Sequence, residues 1–416
     1  MSKPLERPRH KNPILRTRLP TLPPGGRSRF ALGLTAAAAC GRLELQFCRD
    51  CGAVQYPARE ACHCCLSDRF AWRPVDGAGE LLADTRIHIS QELFFRERAP
   101  WRMGLVRLDC GATVVAHLHE DCPAAPARVR VVAGLDRAGQ AVLAALPGEG
   151  ETAMSDDPLL RELTCDPRFR KVLVTDGKTA VGQAIINRLV ESGADIIWVG
   201  YSEPWKKFPG FDRLKAIPQV KLMPLDVTDS VAVRELAAEI GFRTDILINT
   251  AEFHRAHGIA ERAGVEVARA EMDVNYFGLL RLAQEFGPVM RSRGADGTNG
   301  AVAWVNLLSI FALSNYPPHG TFSASKAAAL SLAQCLRAEM QPAGIRVINL
   351  FPGPIDDEWN QLILPPKLAP AALATSVVNA LRDGIEDVYP GDVAQDWFQR
   401  WRDNPKALER ELAANP

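Results

Sequence analysis

The 416-residue chain lacks net charge, since 49 lysines and arginines balance 49 aspartates and glutamates. No overall field therefore draws it to nucleic acid or to an anionic membrane. It also lacks any apolar run approaching the ~20 residues of a membrane span. The alanine-rich stretch from Ala31 to Cys40 is too short, and a cytoplasmic location is the default expectation. Ten cysteines in a chain of this length make no disulfide framework. No internal repeat is visible. What remains is an ordinary globular composition, 47% hydrophobic and 24% charged, long enough for two domains that each bury a core.

Charge and cysteine are unevenly placed. Residues 1–30 hold eight Lys or Arg against Glu6 alone, with six prolines, and read as a mobile or surface-draped basic arm. Aromatic residues do not interleave those charges, so nucleic-acid binding is not favoured. Five of the ten cysteines fall within eighteen residues. Cys48-x2-Cys51 and Cys62-x2-Cys65 form two close pairs, the spacing that lets four thiolates converge tetrahedrally on Zn²⁺. Gly52 follows the first pair, as a tight knuckle with positive φ wants. Cys64 and His63 are alternative donors beside the second pair. Four thiolates leave no open coordination position, so the expected zinc is structural.

Periodicity divides the rest. Five short β-type runs, Gly79–His88, Met103–Leu108, Thr113–Leu118, Arg128–Val132 and Ala141–Leu146, predict a small barrel or sandwich. His117 and His119, two apart on one run, share a face and read as ordinary surface histidines. From residue 171 onward β-runs alternate with helical patterns, which predicts a parallel doubly wound sheet. Its expected strands are Lys171–Thr175, Asp195–Gly200, Val220–Pro224, Asp245–Asn249, Ala301–Leu308 and Arg346–Leu350. The polar stretch 148–170 reads as a linker. The expected domains are thus an arm (1–30), a helix and zinc ribbon (31–68), a barrel (69–147) and, past the linker, an α/β domain (171–416).

Within the N-terminal part, the ordered landmarks are Gly41-Arg-Leu-Glu-Leu-Gln-Phe-Cys48, the four cysteines, Tyr56-Pro57, Trp72-Arg-Pro-Val-Asp-Gly-Ala-Gly79 and Gly104-Leu-Val-Arg-Leu-Asp109. This series resembles the acyl-CoA-associated zinc-ribbon/OB-fold family over residues 30–147. The resemblance implies a small partner subunit of thiolase-fold enzymes, hydratases or aldolases that handle CoA thioesters. Such subunits contribute interface and acyl-CoA channel surface instead of catalytic groups. OB folds also bind oligonucleotides, but this barrel lacks the aromatic and lysine stacking pattern of that use.

The C-terminal half places Thr175-Asp-Gly-Lys-Thr-Ala-Val-Gly182, Leu225-Asp226-Val227, Asn249-Thr-Ala-Glu252, Asn275, Ser309, Lys326 and Pro352-Gly353 in one order. That order resembles the short-chain dehydrogenase/reductase family. The resemblance implies a Rossmann fold, an NAD(P) cofactor, and Asn275, Ser309 and Lys326 as catalytic residues. It also implies cofactor contacts from Thr175, Gly177, Gly182, Asp226, Val227, Asn249 and Lys326. Helices expected over Val265–Arg291 and Thr321–Ala338, with the small residues Ala324, Ala327, Ala328 and Ala329, correspond to the family's dimer helices.

The departures carry the functional information. The family's Tyr-x-x-x-Lys is Phe322-Ser-Ala-Ser-Lys326 here. Phenylalanine exchanges no proton, so general acid help worth about 10²–10⁴-fold is lost. Tyr316, six residues earlier, is a candidate substitute. Asp176 and Ala180 fill two of the three glycine places where a backbone turn meets a pyrophosphate, although Gly177 can serve by a one-residue shift. Glu252 replaces the glycine of Asn-Asn-Ala-Gly, and Asp356, Asp357 and Glu358 follow Pro352-Gly353. Tyr201, Ser202 and Glu203 replace the residue that decides between NAD and NADP, and Lys206 and Lys207 stand further along.

These residues favour an accessory pseudo-dehydrogenase subunit of an acyl-CoA-processing complex in a β-oxidation-like degradation pathway. Its first half would dock on a thiolase-fold or aldolase subunit. Its second half would pair with itself or with an active short-chain dehydrogenase, as a homo- or hetero-oligomer. Two alternatives stay open. One is an active NAD(P)-dependent 3-hydroxyacyl-CoA dehydrogenase using Tyr316 or a substrate-bound water as acid. The other is a regulatory or nucleic-acid-associated OB protein using its basic arm.

Overall fold

The computed structural model describes residues 21–261, 263–293, 300–361 and 363–414. The basic arm expected over 1–30 lies outside the described residues up to residue 20. The chain forms two compact units. One is built mainly from the chain through Asp166, together with Arg382–Glu386, and the other mainly from Pro167 onward.

In the first unit, helix α1 (Leu32–Ala39) leads into a small antiparallel sheet. Strand β1 (Glu44–Cys48) sits between β2 (Val54–Gln55) and β3 (Phe70–Pro74). Strands β4 (Ala78–Ile87), β5 (Trp101–Leu108), β6 (Thr113–Leu118), β7 (Ala127–Leu135) and β8 (Ala141–Pro147) then close a barrel in the order β4-β5-β6-β8-β7. The short helix α2 (Leu93–Glu97) bridges β4 and β5. The period-2 pattern fixes the inside: Val106, Leu108, Val114, Ala116 and Leu118 are buried, while Leu105 and Val115 face out. Leu82, next to the buried Leu81, faces out as well, and a register shift between Leu81 and Ala83 leaves it without a cross-strand partner.

Two expectations need correction here. The segment 148–170 is not an open linker throughout. Residues Met154–Asp156 and Leu160–Leu163 form 3₁₀ turns, and Leu160 and Leu163 are buried with Phe94, Trp101 and Val142. Leu159, Leu160 and Leu163 carry no periodic signal in a polar stretch, yet Leu160 and Leu163 close an apolar patch that the barrel would otherwise expose. Nor are the two histidines on the surface. The His117 ring packs on Phe95 and Trp101 at centroid distances of 5.7 and 5.4 Å, and burial pushes its pKa down to about 4. His119 is 2% exposed.

The second unit is a seven-stranded parallel sheet in the order β11-β10-β9-β12-β13-β14-β15. Its strands are β9 (Lys171–Val174), β10 (Ile196–Tyr201), β11 (Val220–Pro224), β12 (Ile246–Asn249), β13 (Ala303–Leu307), β14 (Arg346–Leu350) and β15 (Asp387–Val388). The six expected strands are all present. The seventh is two residues long, too short for any pattern to reveal. Strands β12, β13 and β14 are buried along their whole length, as a sheet covered on both faces requires.

Helices α3 (Ala180–Glu191), α4 (Phe211–Lys215), α5 (Ser230–Ile240), α6 (Glu266–Met272), α7 (Leu279–Ser292), α8 (Gly320–Met340), α9 (Pro370–Asp383), α10 (Asp392–Asp403) and α11 (Pro405–Ala414) complete it. A π-helical turn over Asp273–Gly278 joins α6 to α7. The sheet order reverses between β9 and β12, which puts the ligand crevice of an open α/β sheet at their carboxyl ends. Among the described residues, no helix is long and apolar enough to cross a membrane.

Leu160→Ala removes a side chain that is 1% exposed. It is expected to destabilise the first unit by about 2–5 kcal/mol, read as a lowered urea midpoint of that unit's unfolding transition.

Candidate functional site

Cys48, Cys51, Cys62 and Cys65 bring their sulfurs within 4.8 Å of one another. Two of the separations, Cys48 to Cys65 and Cys51 to Cys62, are 3.5 Å, close to the ~3.8 Å edge of a tetrahedron with Zn–S near 2.3 Å. Each pair rides on a tight knuckle. Gly52 takes φ +74° after the first and Leu66 takes φ +62° after the second. The Cys51 and Asp50 amides point at the Cys48 sulfur and lower that thiol to about 6. The amides of Cys65 and Cys64 lower Cys62 in the same way. Cys51, despite the Ala53 amide, is pushed up to about 12 by the neighbouring sulfurs and burial, and Cys65 is raised as well. These groups fit a structural Zn²⁺ held as thiolates, with backbone N–H groups as the outer shell. The two alternative donors stay apart from it: His63 turns its ring to Gln55, 3.2 Å away, and Cys64 lies outside the four-sulfur cluster.

At the crevice of the second unit, the carboxyl ends of β9 and β12 are tied by side chains. Thr175 Oγ1 donates to Asn249 Oδ1 at 3.0 Å and accepts the Thr250 amide at 2.9 Å. Thr250 Oγ1 accepts the Asp176 amide at 2.8 Å. Gly177 must be glycine, because a Cβ there would stand 2.1 Å from Val199 Cγ1; at Gly182 it would meet the Asp176 carbonyl oxygen at 2.1 Å. The turn also satisfies its own donors. Asp176 Oδ1 accepts the Lys178 amide at 2.8 Å, and Thr179 Oγ1, the cap of α3, accepts the Gly182 amide at 3.0 Å.

Deeper in, Lys326 is 2% exposed and its Nζ donates to the Leu307 carbonyl at 2.9 Å. The same ammonium lies 2.8 Å from Glu252 Oε2, and Glu252 Oε1 is 3.0 Å from His254 Nδ1. Phe322, 3% exposed, packs its ring 4.6 Å from that of His254 and 5.5 Å from Lys326 Nζ. The other two residues of the expected quartet have structural bonds. Asn275 uses its amide on Phe253 and Ser325, donating to the Phe253 carbonyl and accepting its N–H. Ser309 caps a 3₁₀ turn by accepting the Phe311 amide at 3.2 Å.

A groove of about 960 Å³ opens above these residues, lined from Thr175 and Asp226 at one end to Glu252, Asp357 and Trp359 at the other. Val227 also lines it. Neither Phe322 nor Tyr316 is among its described walls. The Tyr316 ring is instead stacked on Phe311 at 5.1 Å and on His319 at 5.8 Å.

Comparison with known proteins agrees with this architecture. Residues 170–366 match the sequence model of the short chain dehydrogenase family. A short chain dehydrogenase from Burkholderia cenocepacia J2315, solved in complex with NADP, is 33% identical. It superposes with a TM-score of 0.54 over 59% of this chain and 98% of its own. The chain belongs to the short-chain dehydrogenase family. An uncharacterized oxidoreductase of Staphylococcus aureus (strain USA300) is 28% identical over 50% of this chain and 89% of its own. A 3-ketodihydrosphingosine reductase of Bacteroides thetaiotaomicron is 28% identical over 44% and 62%. Ahead of this dehydrogenase unit, residues 35–71 match the rubredoxin-like zinc ribbon domain of ChsH2 and residues 72–134 its C-terminal OB-fold domain.

Against that family, this dehydrogenase unit has committed its polar groups internally. It offers no phenol in the place of Phe322, and its Lys326 ammonium is already neutralised by Glu252. The two ends of the groove fit a nicotinamide dinucleotide unequally. Lys178, Lys206, Lys207 and Arg213 line the adenosine end, whereas Asp357 and Glu358 line the other with Glu252. Lys206 and Lys207 are nearer than their sequence distance suggests. Glu203 adopts φ +57° and its carbonyl accepts the Lys206 amide at 2.9 Å, which turns the loop back. His254 and Trp359 are site residues that no motif announced. Their signal was faint: a histidine two residues beyond an anomalous glutamate, and a tryptophan among three acids.

Two measurements follow. Metal analysis should find about one zinc per chain, and Cys48→Ser should lose it together with the cooperative unfolding of the ribbon. Glu252 gives a pH test. Burial alone would raise its carboxyl, but Lys326 and then His254 outweigh burial and hold it at about 2, below its ordinary 4.5. A carboxyl with a depressed folded pKa stabilises the protein above pH 4.5, and that contribution fades as pH falls toward 2. Glu252→Gln should therefore cost roughly 3–5 kcal/mol at neutral pH by stranding the buried ammonium. Denaturation midpoints across pH should show the acid limb flattened in the same variant.

Proposed function

We propose that the chain is a non-catalytic accessory subunit of an acyl-CoA-processing complex, in which its zinc-ribbon and barrel half docks on a thiolase-fold subunit. One observation carries the reading: the Lys326 ammonium is bound to Glu252 and to the Leu307 carbonyl while Phe322 stands in the acid's place. A dehydrogenase of this family needs that lysine for the ribose and a phenol for the carbonyl. Neither is on offer. Tyr316 does not repair the loss, because its ring is stacked within an aromatic cluster with Phe311, His319 and Trp397.

The barrel supplies a surface suited to docking. Leu105 and Val115 are cross-strand partners, 39% and 53% exposed, and Leu82 beside them is 37% exposed. Three outward apolar side chains on adjacent strands make a patch with the character of an interface core. The resemblance of this half to acyl-CoA-associated partner subunits supports a thiolase-fold protein as the occupant, in a β-oxidation-like degradation sequence. The related oxidoreductases and reductase make dehydrogenation the competing reading for the second half, with pairing between dehydrogenase units in either case.

Phe322→Tyr should gain no turnover of NADH or NADPH with a 3-oxoacyl-CoA, since the lysine stays neutralised. Restoration of steady-state oxidation would overturn the proposal. Purification from native extract should bring down a thiolase-fold subunit, and Leu105→Asp with Val115→Asp should abolish its capture without changing the circular dichroism. A chain recovered only as a lone homo-oligomer would equally defeat the docking half.

A further inference from the structure

Two buried imidazoles meet behind Glu252 and Trp359. His254 is 2% exposed and His319, the residue before α8, is 1% exposed, with ring centroids 5.5 Å apart. The rings of Phe322 and Trp359 lie 4.6 and 5.5 Å from that of His254. Those of Phe311 and Tyr316 lie 5.6 and 5.8 Å from that of His319. Trp397 on α10 joins the cluster through Phe311, at 5.6 Å.

The two histidines are not equivalent. His254 Nδ1 lies 3.0 Å from Glu252 Oε1. His319 has no such acceptor. Among the described residues, neither of its ring nitrogens has a hydrogen-bond partner, and His254 Nε2 has none either. A neutral imidazole can occupy such a place, but an imidazolium brings two N–H donors and a charge, and burying these without partners is costly. Glu252 cannot serve, since it is already bonded to Lys326 and His254. Asp357 faces Glu252 and His254, and burial first and then Glu252 push its own carboxyl up. Arg255 Nη1 donates to the His254 carbonyl. Burial first, then His254 and His257, hold His319 down at about 4 against the pull of Glu252.

His319 also ties backbone together. It forms a β-bridge with His257, its amide donates to the Tyr316 carbonyl at 2.9 Å, and its carbonyl accepts the Ser323 amide at 2.8 Å. A ring that leaves the cluster therefore loosens two segments at once: the loop after β12, which carries Glu252, and the entrance of α8, which carries Phe322.

We infer that His319 is an acid-released latch: once protonated, its ring leaves the aromatic cluster, and the loop 252–257 and the first turn of α8 open together while the sheet stays folded. The sign follows from burial. A base whose pKa is depressed in the closed form takes its proton more readily in the open form. Closure is fully favoured above pH 6.5 and is lost progressively as pH falls from 6.5 toward 4. For one such group the opening equilibrium rises about tenfold between pH 7.5 and pH 5.5. The latch acts whether the unit is accessory or catalytic, and turnover is not its readout.

Hydrogen exchange of the full chain, read by mass spectrometry at the two pH values and corrected for intrinsic rates, tests it. Peptides spanning 250–258 and 315–326 should exchange about tenfold faster at the lower pH, while peptides from β13 and β14 keep their protection. His319→Phe keeps an aromatic ring in the cluster without a titrating group and should remove the acceleration. His319→Gln, which does not titrate either, takes its place if the phenylalanine variant folds poorly. The latch is overturned if both regions exchange equally at the two pH values, if β13 and β14 lose protection at the same time, or if both substitutions keep the acceleration.

Discussion

A buried ammonium has to be met by acceptors, and the way Lys326 is met determines the chemistry left to the dehydrogenase unit. Removing the charge from water costs several kcal/mol, so its partners cannot be casual. The Leu307 carbonyl takes one proton, Glu252 takes another, and the Phe322 ring lies beneath the charge. His254 then bonds the far oxygen of Glu252. Once that chain of contacts is complete, a phenol at position 322 would gain no activated lysine. It would instead need a partner of its own or leave a buried hydroxyl unsatisfied. Glu252 and Phe322 are therefore two sides of one change.

Residues that look catalytic by position can persist because they hold the fold. Asn275 pins the segment after β12 by bonding both backbone groups of Phe253, and it does so from a π turn that widens the helix locally. Ser309 caps a turn. Thr175 and Asn249 join two strand ends across the crevice. Each of these bonds is worth about 1 kcal/mol or more when its loss would strand a buried partner. Each of these polar residues thus has a structural partner within the fold.

Much of this was legible in the chain itself. The cysteine spacing located the zinc ribbon, period-2 runs located the five barrel strands, and the ordered landmarks from Thr175 to Pro352 located the doubly wound sheet. The anomalies at Phe322, Asp176 and Glu252 were visible too, but their consequences were not. That Glu252 meets Lys326 depends on a contact across 74 residues, and no local pattern encodes it. The buried histidines, the folding-back of Leu160 and Leu163 and the return of the loop at Glu203 have the same origin. Each is decided by what packs against the segment, and the segment's own composition argues for the opposite outcome.

The two ends of the groove differ in charge, and the backbone of the cationic end is held by specific contacts. Exposed lysines are common and cost little, but Glu203 is different. A non-glycine residue at φ +57° carries a cost of about 1 kcal/mol or more, and the loop it turns packs Phe208 on the buried Tyr201 at 5.8 Å and on Phe211 at 5.4 Å. The same turn leaves Lys206 and Lys207 along the groove, Lys207 donating to both oxygens of Asp212 at 2.8 and 3.0 Å, while Gln183 clamps the following segment and Arg213 to the start of α3. At the acidic end Glu252 is bonded to Lys326 and His254, whereas Asp176 and Thr179 satisfy the amides of the first turn.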